Sequence, residues 1–331
     1  MSRGAWIICA VVLSLGSLVL ADVPPYLDPS IRRGTVTING EDVDFFRTGV
    51  VALVNTCDYD WWYGCSPTSA GMMMGHYDRN GYGGNPLTNQ YPALVPGGVA
   101  ETETFVGPPT GWSALANNAI ASTGHVGDFY RAGYGASGDD LPAPWHGFNC
   151  LADYMGTSQD STGNSNGSTT FWYYTSGAKL YAKDIYGFGY SYYNASGMFG
   201  MWEYLDYCGY GSGTPSTDTN FFNQYVDAYK PGVGFTYNEY KAEIDAGRPV
   251  LIHVEGHTMY GYGYDDAAGP TVILNDTWSP GPHTMPWGGS YSGLPHRGVT
   301  CMLPTNGVPE PSAMMLLVLA GLPLLKRKRK P

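Results

Sequence analysis

The chain has 331 residues, with 17 Lys and Arg against 28 Asp and Glu and a formal net charge of -11 at neutral pH. Such a surplus of negative charge argues against the phosphate backbone of nucleic acid as a partner. Only 14% of residues are charged, whereas Gly numbers 46 and Tyr 27, so the surface must be built largely of Gly, Ser, Asn, Thr and Tyr, as in an extracellular protein with many irregular loops. The length suits one domain, or a core with a large insert.

At the start of the chain, Arg3 precedes an apolar run from Ala5 to Leu20, followed by Ala21 and Asp22-Val23-Pro24-Pro25. This pattern is expected of a signal peptide cleaved near Ala21, which sends the protein across the cytoplasmic membrane. The next informative stretch is Trp61-Trp62-Tyr63-Gly64-Cys65-Ser66-Pro67-Thr68-Ser69-Ala70-Gly71-Met72-Met73-Met74-Gly75. Ser66 and Pro67 suit the first turn of a helix, which puts Cys65 at or just before its N-terminus. Unpaired N–H groups and the helix dipole there favour a thiolate, the nucleophilic form. A buried or disulfide-bonded cysteine is the alternative. The run Met72 to Met74 reads as core packing on the same helix.

Residues 85 to about 218 are rich in Gly, Tyr, Ser and Asn, with helices expected at Gly111 to Ala121 and at His146 to Met155 and turns around residues 133–135 and 158–170. Asp78 to Tyr82 and Asp160 to Gly167 are oxygen-rich but lack the bidentate Glu of a calcium loop, so they read as Asx-rich turns. His125 and His146 read as hydrogen-bonded structural histidines. With no C-x-x-C pair and no helical His-x-x-x-His pair, neither a metal nor a cofactor is expected.

The second half of the chain is more regular. Tyr237 to Ala246 has helical spacing and stops at Gly247 and Pro249. Pro249 to Val254 and Thr258 to Tyr264 read as strands broken at Gly256, and His257 opens the second of them. Thr271 to Leu274 is a third strand, ending in Asn275-Asp276-Thr277-Trp278. Antiparallel pairing can bring a histidine at the start of one strand beside a side chain at the end of its neighbour. A thiol nucleophile needs an imidazole to take its proton, and the imidazole needs an acceptor on its other nitrogen. Cys65, His257 and Asp276 supply these parts. Asn275 is the alternative acceptor, but strand alternation sends it and Asp276 to opposite faces, so only one can meet His257. The chain closes with Val308-Pro309-Glu310-Pro311-Ser312, an apolar run from Ala313 to Leu325, and Lys326-Arg327-Lys328-Arg329-Lys330.

The Gly-Cys-Ser-Pro-Thr start of the nucleophile helix, the Ala246-Gly247-Arg248-Pro249 turn, the Gly256-His257 strand start and the Asn275-Asp276-Thr277-Trp278 strand end together resemble papain-like cysteine peptidases, in particular the bacteriocin-processing or double-glycine kind. The resemblance implies an α+β fold with the nucleophile helix packed on an antiparallel sheet. It also implies Cys65 as nucleophile, His257 as general base and then acid, Asp276 as orienter, and a peptide or protein as substrate. Relatives carry a glutamine about six residues before the cysteine as an oxyanion donor. Tyr59 stands there in this chain, so the Tyr59 hydroxyl or the Asn55 amide would have to replace it. The 192-residue separation of Cys65 from His257 implies an insertion at about 85–218. The C-terminal tail resembles a PEP-CTERM sorting signal, which implies recognition by an exosortase and a mature protein that is extracellular or attached to the cell surface. The expected organisation is a signal peptide at 1–21, a peptidase-like domain at 22–305 and the sorting signal at 306–331. After loss of Cys9, five cysteines remain. With Cys65 as the free thiol, Cys57, Cys150, Cys208 and Cys301 are left to form two disulfides of unspecified connectivity. Three functions fit these observations: a cysteine peptidase, a peptidase-like surface or matrix protein that binds glycan or protein without cleaving, and a transglutaminase-like acyl transferase.

Overall fold

The computed structural model describes residues 33–38, 41–46, 50–54, 56–81, 94–95, 118–122, 124–126, 150–159, 163–164, 167–210, 214–267 and 269–303. The expected signal peptide and sorting tail therefore lie outside the described residues, as do Asn55, His146 and most of the Asp160 to Gly167 turn. Among the described residues no helix is long and apolar enough to cross a membrane.

The architecture is α+β, consistent with a papain-like fold. A two-stranded antiparallel ribbon, β1 (Arg33–Ile38) and β2 (Glu41–Phe46), precedes β3 (Val50–Ala52) and a 16-residue helix, α1 (Cys65–Asn80). Short helices follow: α2 (Leu151–Tyr154), α3 (Ala182–Phe188) and α4 (Tyr190–Tyr193), then the longer α5 (Gly197–Tyr207), with β4 (Leu180–Tyr181) leading into α3. The remainder is β5 (Phe221–Tyr225), α6 (Tyr237–Asp245), β6 (Val250–Val254), β7 (His257–Asp265), β8 (Thr271–Asn275), β9 (His283–Pro286), β10 (Ser290–Tyr291) and β11 (Leu294–Met302). One nine-stranded antiparallel sheet runs in the order β4-β5-β11-β6-β7-β8-β9, with β10 paired to β11 and β3 to β7.

The helix and strands expected at 237–246, 249–254, 258–264 and 271–274 form within a residue or two of those bounds, because their signals are local. Thr236 and Glu239 cap α6 reciprocally, Glu239 N–H donating to the Thr236 hydroxyl at 3.2 Å and Thr236 N–H to the Glu239 carboxylate at 2.7 Å, an arrangement worth roughly 1 kcal/mol. Strand β6 is buried at every position, as its unbroken aliphatic run requires of a central strand. Helix α1 packs against β6 and β7, and its Met72, Met73 and Met74 are all buried. The Tyr77 hydroxyl ties its last turn to the Met302 carbonyl of β11 at 3.0 Å. The helices expected at 111–121 and 146–155 appear only as short described pieces, residues 118–120 and α2.

None of Cys57, Cys65, Cys150, Cys208 and Cys301 is disulfide-bonded, which corrects the expected pair of bridges. Each thiol is held in its own packing environment instead. Cys57 Sγ lies against Gly75 of α1, where an added Cβ would stand 2.6 Å away. The Cys150 thiol donates to Asp153 Oδ2 at 2.8 Å.

Candidate active site

Cys65 is the first residue of α1, delivered by a tight elbow. Tyr63 has φ 54° and Gly64 φ 149°, and a side chain on Gly64 would press on Pro67 at 2.9 Å. Conformations of this kind cost on the order of 1–3 kcal/mol and persist where the surroundings impose them. Thr68 supplies that constraint: its hydroxyl donates to the Gly64 carbonyl at 2.7 Å and accepts from Trp62 N–H at 3.0 Å.

The first turn of α1 is clamped to the start of β7. Ser66 Oγ lies 2.9 Å from Thr258 Oγ1, and the Ser69 hydroxyl donates to the Thr258 carbonyl at 3.0 Å. The residue after the cysteine therefore touches the residue after His257. Cys65 and His257 line the same cleft, about 490 Å³ in volume, with Trp61, Phe171, Tyr173 and Trp278 among its walls.

His257 is buried, its Nε2 lying 2.8 Å from the backbone carbonyl oxygen of Asp276. A carbonyl can only accept, so Nε2 carries the proton in this contact and Nδ1 is left as the basic nitrogen. Trp278 stacks on the imidazole at 4.0 Å between centroids and 21° between planes, although the indole is itself 48% exposed. The expected Asp276 side-chain contact is replaced by a main-chain one. Its carboxylate turns to its own loop, accepting from Trp278 N–H at 2.9 Å, Ser279 N–H at 3.0 Å and the Tyr291 hydroxyl at 2.6 Å. Register explains the difference. Tyr260 pairs with Asn275, so His257 stands opposite position 278 rather than 276, and the strand end must curl back to reach it. Thr277 takes up the strain of that curl at φ 63°. Asn275 projects the other way, as alternation demands, its amide donating to the Cys57 carbonyl at 2.7 Å.

Tyr59 does not supply the missing oxyanion donor. Its side chain is buried in the core, with the hydroxyl 3.2 Å from where a Cβ on Gly75 would stand. Gly75 is ten residues beyond Cys65, or ~15 Å along the helix axis. Asn55, the other candidate donor, lies outside the described residues.

Electrostatically, burial disfavours the charged forms of both Cys65 and His257. Burial pushes the Cys65 thiol up; the Thr258 amide, the Ser66 hydroxyl and the amides of Ser66 and Cys65 oppose this without overcoming it. That direction is opposite to the one expected from the helix N-terminus at Ser66 and Pro67. Burial lowers the His257 pKa, opposed by the carbonyl and the charge of Asp276. Ionising the thiol and protonating the imidazole together would convert two separately disfavoured charges into a pair. Asp60, crowded by desolvation, Asp58 and Asp276, has its pKa raised to about 6.

His253, four residues before His257, also reaches the cleft but serves a different network. Its Nδ1 lies 3.1 Å from Thr258 Oγ1 and its Nε2 2.8 Å from Thr300 Oγ1. Thr300 donates onward to Asn223 Oδ1 at 2.5 Å, and the Asn223 amide donates to the Trp172 carbonyl at 3.0 Å. Desolvation, helped by His296, depresses its pKa to about 3, so it is a neutral structural link.

A second cluster combines His125, Cys150 and Asp153, with candidate ligand atoms within 4.8 Å of one another. In chemical type these three could hold a metal ion. In the fold Asp153 stands between the other two, bonded to the Cys150 thiol and, at 2.9 Å, to His125 Nδ1. All three are buried and the Cys150 thiol is pushed well up by desolvation. A thiol sealed from solvent, with a carboxylate rather than an imidazole as its partner, is not placed to attack a substrate. His125 was expected to be a hydrogen-bonded structural histidine; its ring is hydrogen-bonded, to Asp153, a partner that the sequence did not indicate.

Comparison with known proteins adds one finding. Residues 149–288 match the model of the Peptidase_C39 like family. The match covers less than half of the chain; it takes in Cys150, His257 and Asp276 and stops short of Cys65. It supports a cysteine peptidase and agrees in kind with the resemblance drawn from the motifs. No curated protein and no solved structure shows a significant match.

Proposed function

We propose that the protein is an exported cysteine peptidase in which Cys65 attacks the peptide carbonyl and His257 moves the proton. The observation that carries this reading is the opening of both side chains onto one cleft, with the first turn of α1 clamped to Thr258 and the His257 Nε2 engaged so that Nδ1 remains basic. The Cys65 S–H proton passes to Nδ1, and the thiolate adds to the carbonyl carbon. The resulting oxyanion is stabilised by backbone N–H groups at the N-terminus of α1, where the dipole is favourable. Nδ1–H then protonates the departing amine, leaving a thioester. Water, deprotonated by the same nitrogen, attacks the thioester and regenerates the thiol with release of the acid. Asp276 contributes through its carbonyl, which fixes the ring, and through its charge.

Cys65 is preferred to Cys150 because Cys65 lines the same cleft as His257, whereas Cys150 is fully buried with its thiol bonded to Asp153. Export rests on the pattern of residues 1–21, and surface attachment through an exosortase on that of 306–331. A second reading, a peptidase-like protein that binds without cleaving, is favoured by the desolvation that disfavours the Cys65 thiolate and by the burial of Tyr59 where relatives carry their glutamine. Alkylation separates the two. Carboxamidomethylation of Cys65 by iodoacetamide should show a reactive plateau well below pH 8 that disappears in His257→Ala. A rate that follows an ordinary thiol titration near 8.5 in both proteins would eliminate the peptidase.

A further inference from the structure

The residue that follows the nucleophile is tied into a line of buried side chains that crosses the sheet strand by strand, from α1 over β7, β6 and β11 to β5. Ser66 Oγ lies 4.0 Å from Cys65 Sγ and 2.9 Å from Thr258 Oγ1. Thr258 Oγ1 is 3.1 Å from Nδ1 of His253, its cross-strand partner, and Nε2 of the same ring is 2.8 Å from Thr300 Oγ1. Thr300 in turn stands opposite Asn223, with 2.5 Å between its hydroxyl and Oδ1. The Asn223 amide nitrogen ends the line at the Trp172 carbonyl, 3.0 Å away. All five side chains from Ser66 to Asn223 are buried, so each depends on the next for its hydrogen bond.

Taken one at a time, the middle contacts leave the donor open, since a hydroxyl gives or accepts and a neutral imidazole carries its proton on either nitrogen. The end of the line removes the choice. A backbone carbonyl only accepts, so the Asn223 NH2 faces Trp172 and its oxygen faces Thr300. Thr300 uses its one proton on that oxygen and must accept from His253, which puts the ring proton on Nε2. Nδ1 is then an acceptor, filled by the Thr258 hydroxyl, and Thr258 accepts from Ser66. The Ser66 proton therefore points at Thr258, and a lone pair faces the Cys65 sulfur. Reversing a single link sets two lone pairs or two protons against each other and strands a buried polar group, at ~1–3 kcal/mol. A neutral ring is what the surroundings favour: Phe171 lies against His253 at 4.1 Å between centroids, and desolvation, helped by His296 of β11, holds the pKa down at about 3. The nearest fixed charge on the cleft wall, Arg297, is paired with Glu255 at 2.7 Å.

We propose that Asn223, Thr300, His253, Thr258 and Ser66 form a positioning relay that holds the Ser66 hydroxyl as an acceptor toward the Cys65 thiol, with its polarity set at the Trp172 carbonyl. The proposal rests on Cys65 as the nucleophile and adds a control on its reactivity. A hydroxyl favours a thiolate only by donating to it, so the opposing effect of Ser66 on the thiol belongs to the reversed polarity. The relay withholds that proton and leaves ionisation of Cys65 to His257. Because oxidation of a cysteine follows its thiolate character, the same arrangement shields the sulfur between turnovers.

The protonated nitrogen of His253 is read directly by NMR of protein labelled with 15N-histidine, its ring signals assigned by their loss in His253→Gln. In the wild type at pH 7 the ring should be the Nε2–H tautomer. In Asn223→Leu the Thr300 proton has no acceptor but Nε2, so the ring proton should move to Nδ1, which reverses Thr258 and turns the Ser66 proton onto the sulfur. The midpoint of the Cys65 carboxamidomethylation rate against pH should then fall by at least half a pH unit, and Ser66→Ala added to Asn223→Leu should abolish that fall. Ser66→Ala alone should leave the midpoint unchanged or lower it. A wild-type ring protonated on Nδ1 or on both nitrogens overturns the relay, as does a midpoint that rises in Ser66→Ala or a folded Asn223→Leu protein that keeps the Nε2–H tautomer. Packing alone would move neither the tautomer nor the sign of the Ser66→Ala shift. If Cys65 titrates as an ordinary thiol near 8.5 in wild type and His257→Ala alike, the peptidase reading fails, and the wild-type tautomer with the Ser66→Ala sign still decides the relay.

Discussion

Replacing Asp276 with asparagine separates a carboxylate orienter from a main-chain one. The His257 Nε2–H bond ends on the carbonyl of residue 276, which survives any substitution there. The asparagine oxygen can still accept from Trp278 N–H and Ser279 N–H, and its NH2 can donate to the Tyr291 oxygen in place of the present bond. Only the negative charge that helps to raise the His257 pKa disappears. The expected fall in the rate of Cys65 carboxamidomethylation at pH 7 is about tenfold or less, ~1.4 kcal/mol. Loss of a carboxylate bonded directly to the base costs about ten-thousandfold in the serine-protease triad. Asp276→Ala behaves differently, because it removes three hydrogen bonds worth ~0.5–1.5 kcal/mol each. It should lower stability by about 2–4 kcal/mol and loosen the loop that lays Trp278 on the imidazole. The assay is the second-order alkylation rate against pH, with the modified peptide identified by mass and folding checked by near-UV circular dichroism. A thousandfold loss in a well-folded Asp276→Asn protein would refute the main-chain assignment.

Three further outcomes follow from individual contacts. The Tyr173 hydroxyl is buried without a hydrogen-bond partner among the described residues; since a stranded polar group costs ~1–3 kcal/mol, Tyr173→Phe should leave the melting temperature unchanged or raise it. Asp60 has its folded pKa raised to about 6 from 3.8, so it favours the folded state below pH 3.8 and loses that contribution as pH rises through 6. Asp60→Asn should therefore be more stable than wild type at pH 7, with a shallower dependence between pH 4 and 6 in urea unfolding. Gly200 of α5 lies so close to α2 that an added Cβ would overlap the Tyr154 carbonyl. Gly200→Ala should lower stability by about 1–3 kcal/mol despite its better helix propensity, as a thermal melt would record.

The elements of the second half of the chain were legible in the sequence because their signals are local: an aliphatic run for β6, a glycine break at Gly256, and helical spacing from Tyr237 ended by Gly247. Ser66 and Pro67 marked the start of α1 for the same reason, and alternation correctly separated Asn275 from Asp276. What the sequence by itself determined was thus the order of these elements and the candidate residues they carry. Three matters were decided only by tertiary structure. Pairing of Tyr260 with Asn275 set the register that presents a carbonyl, not a carboxylate, to His257. Packing against Gly75 drew Tyr59 into the core and away from Cys65. Burial of the thiol outweighed the amides around it, reversing the expected direction of its pKa. Each depends on which groups from distant parts of the chain exclude water from one another, and desolvation of that kind leaves no trace in the spacing of residues.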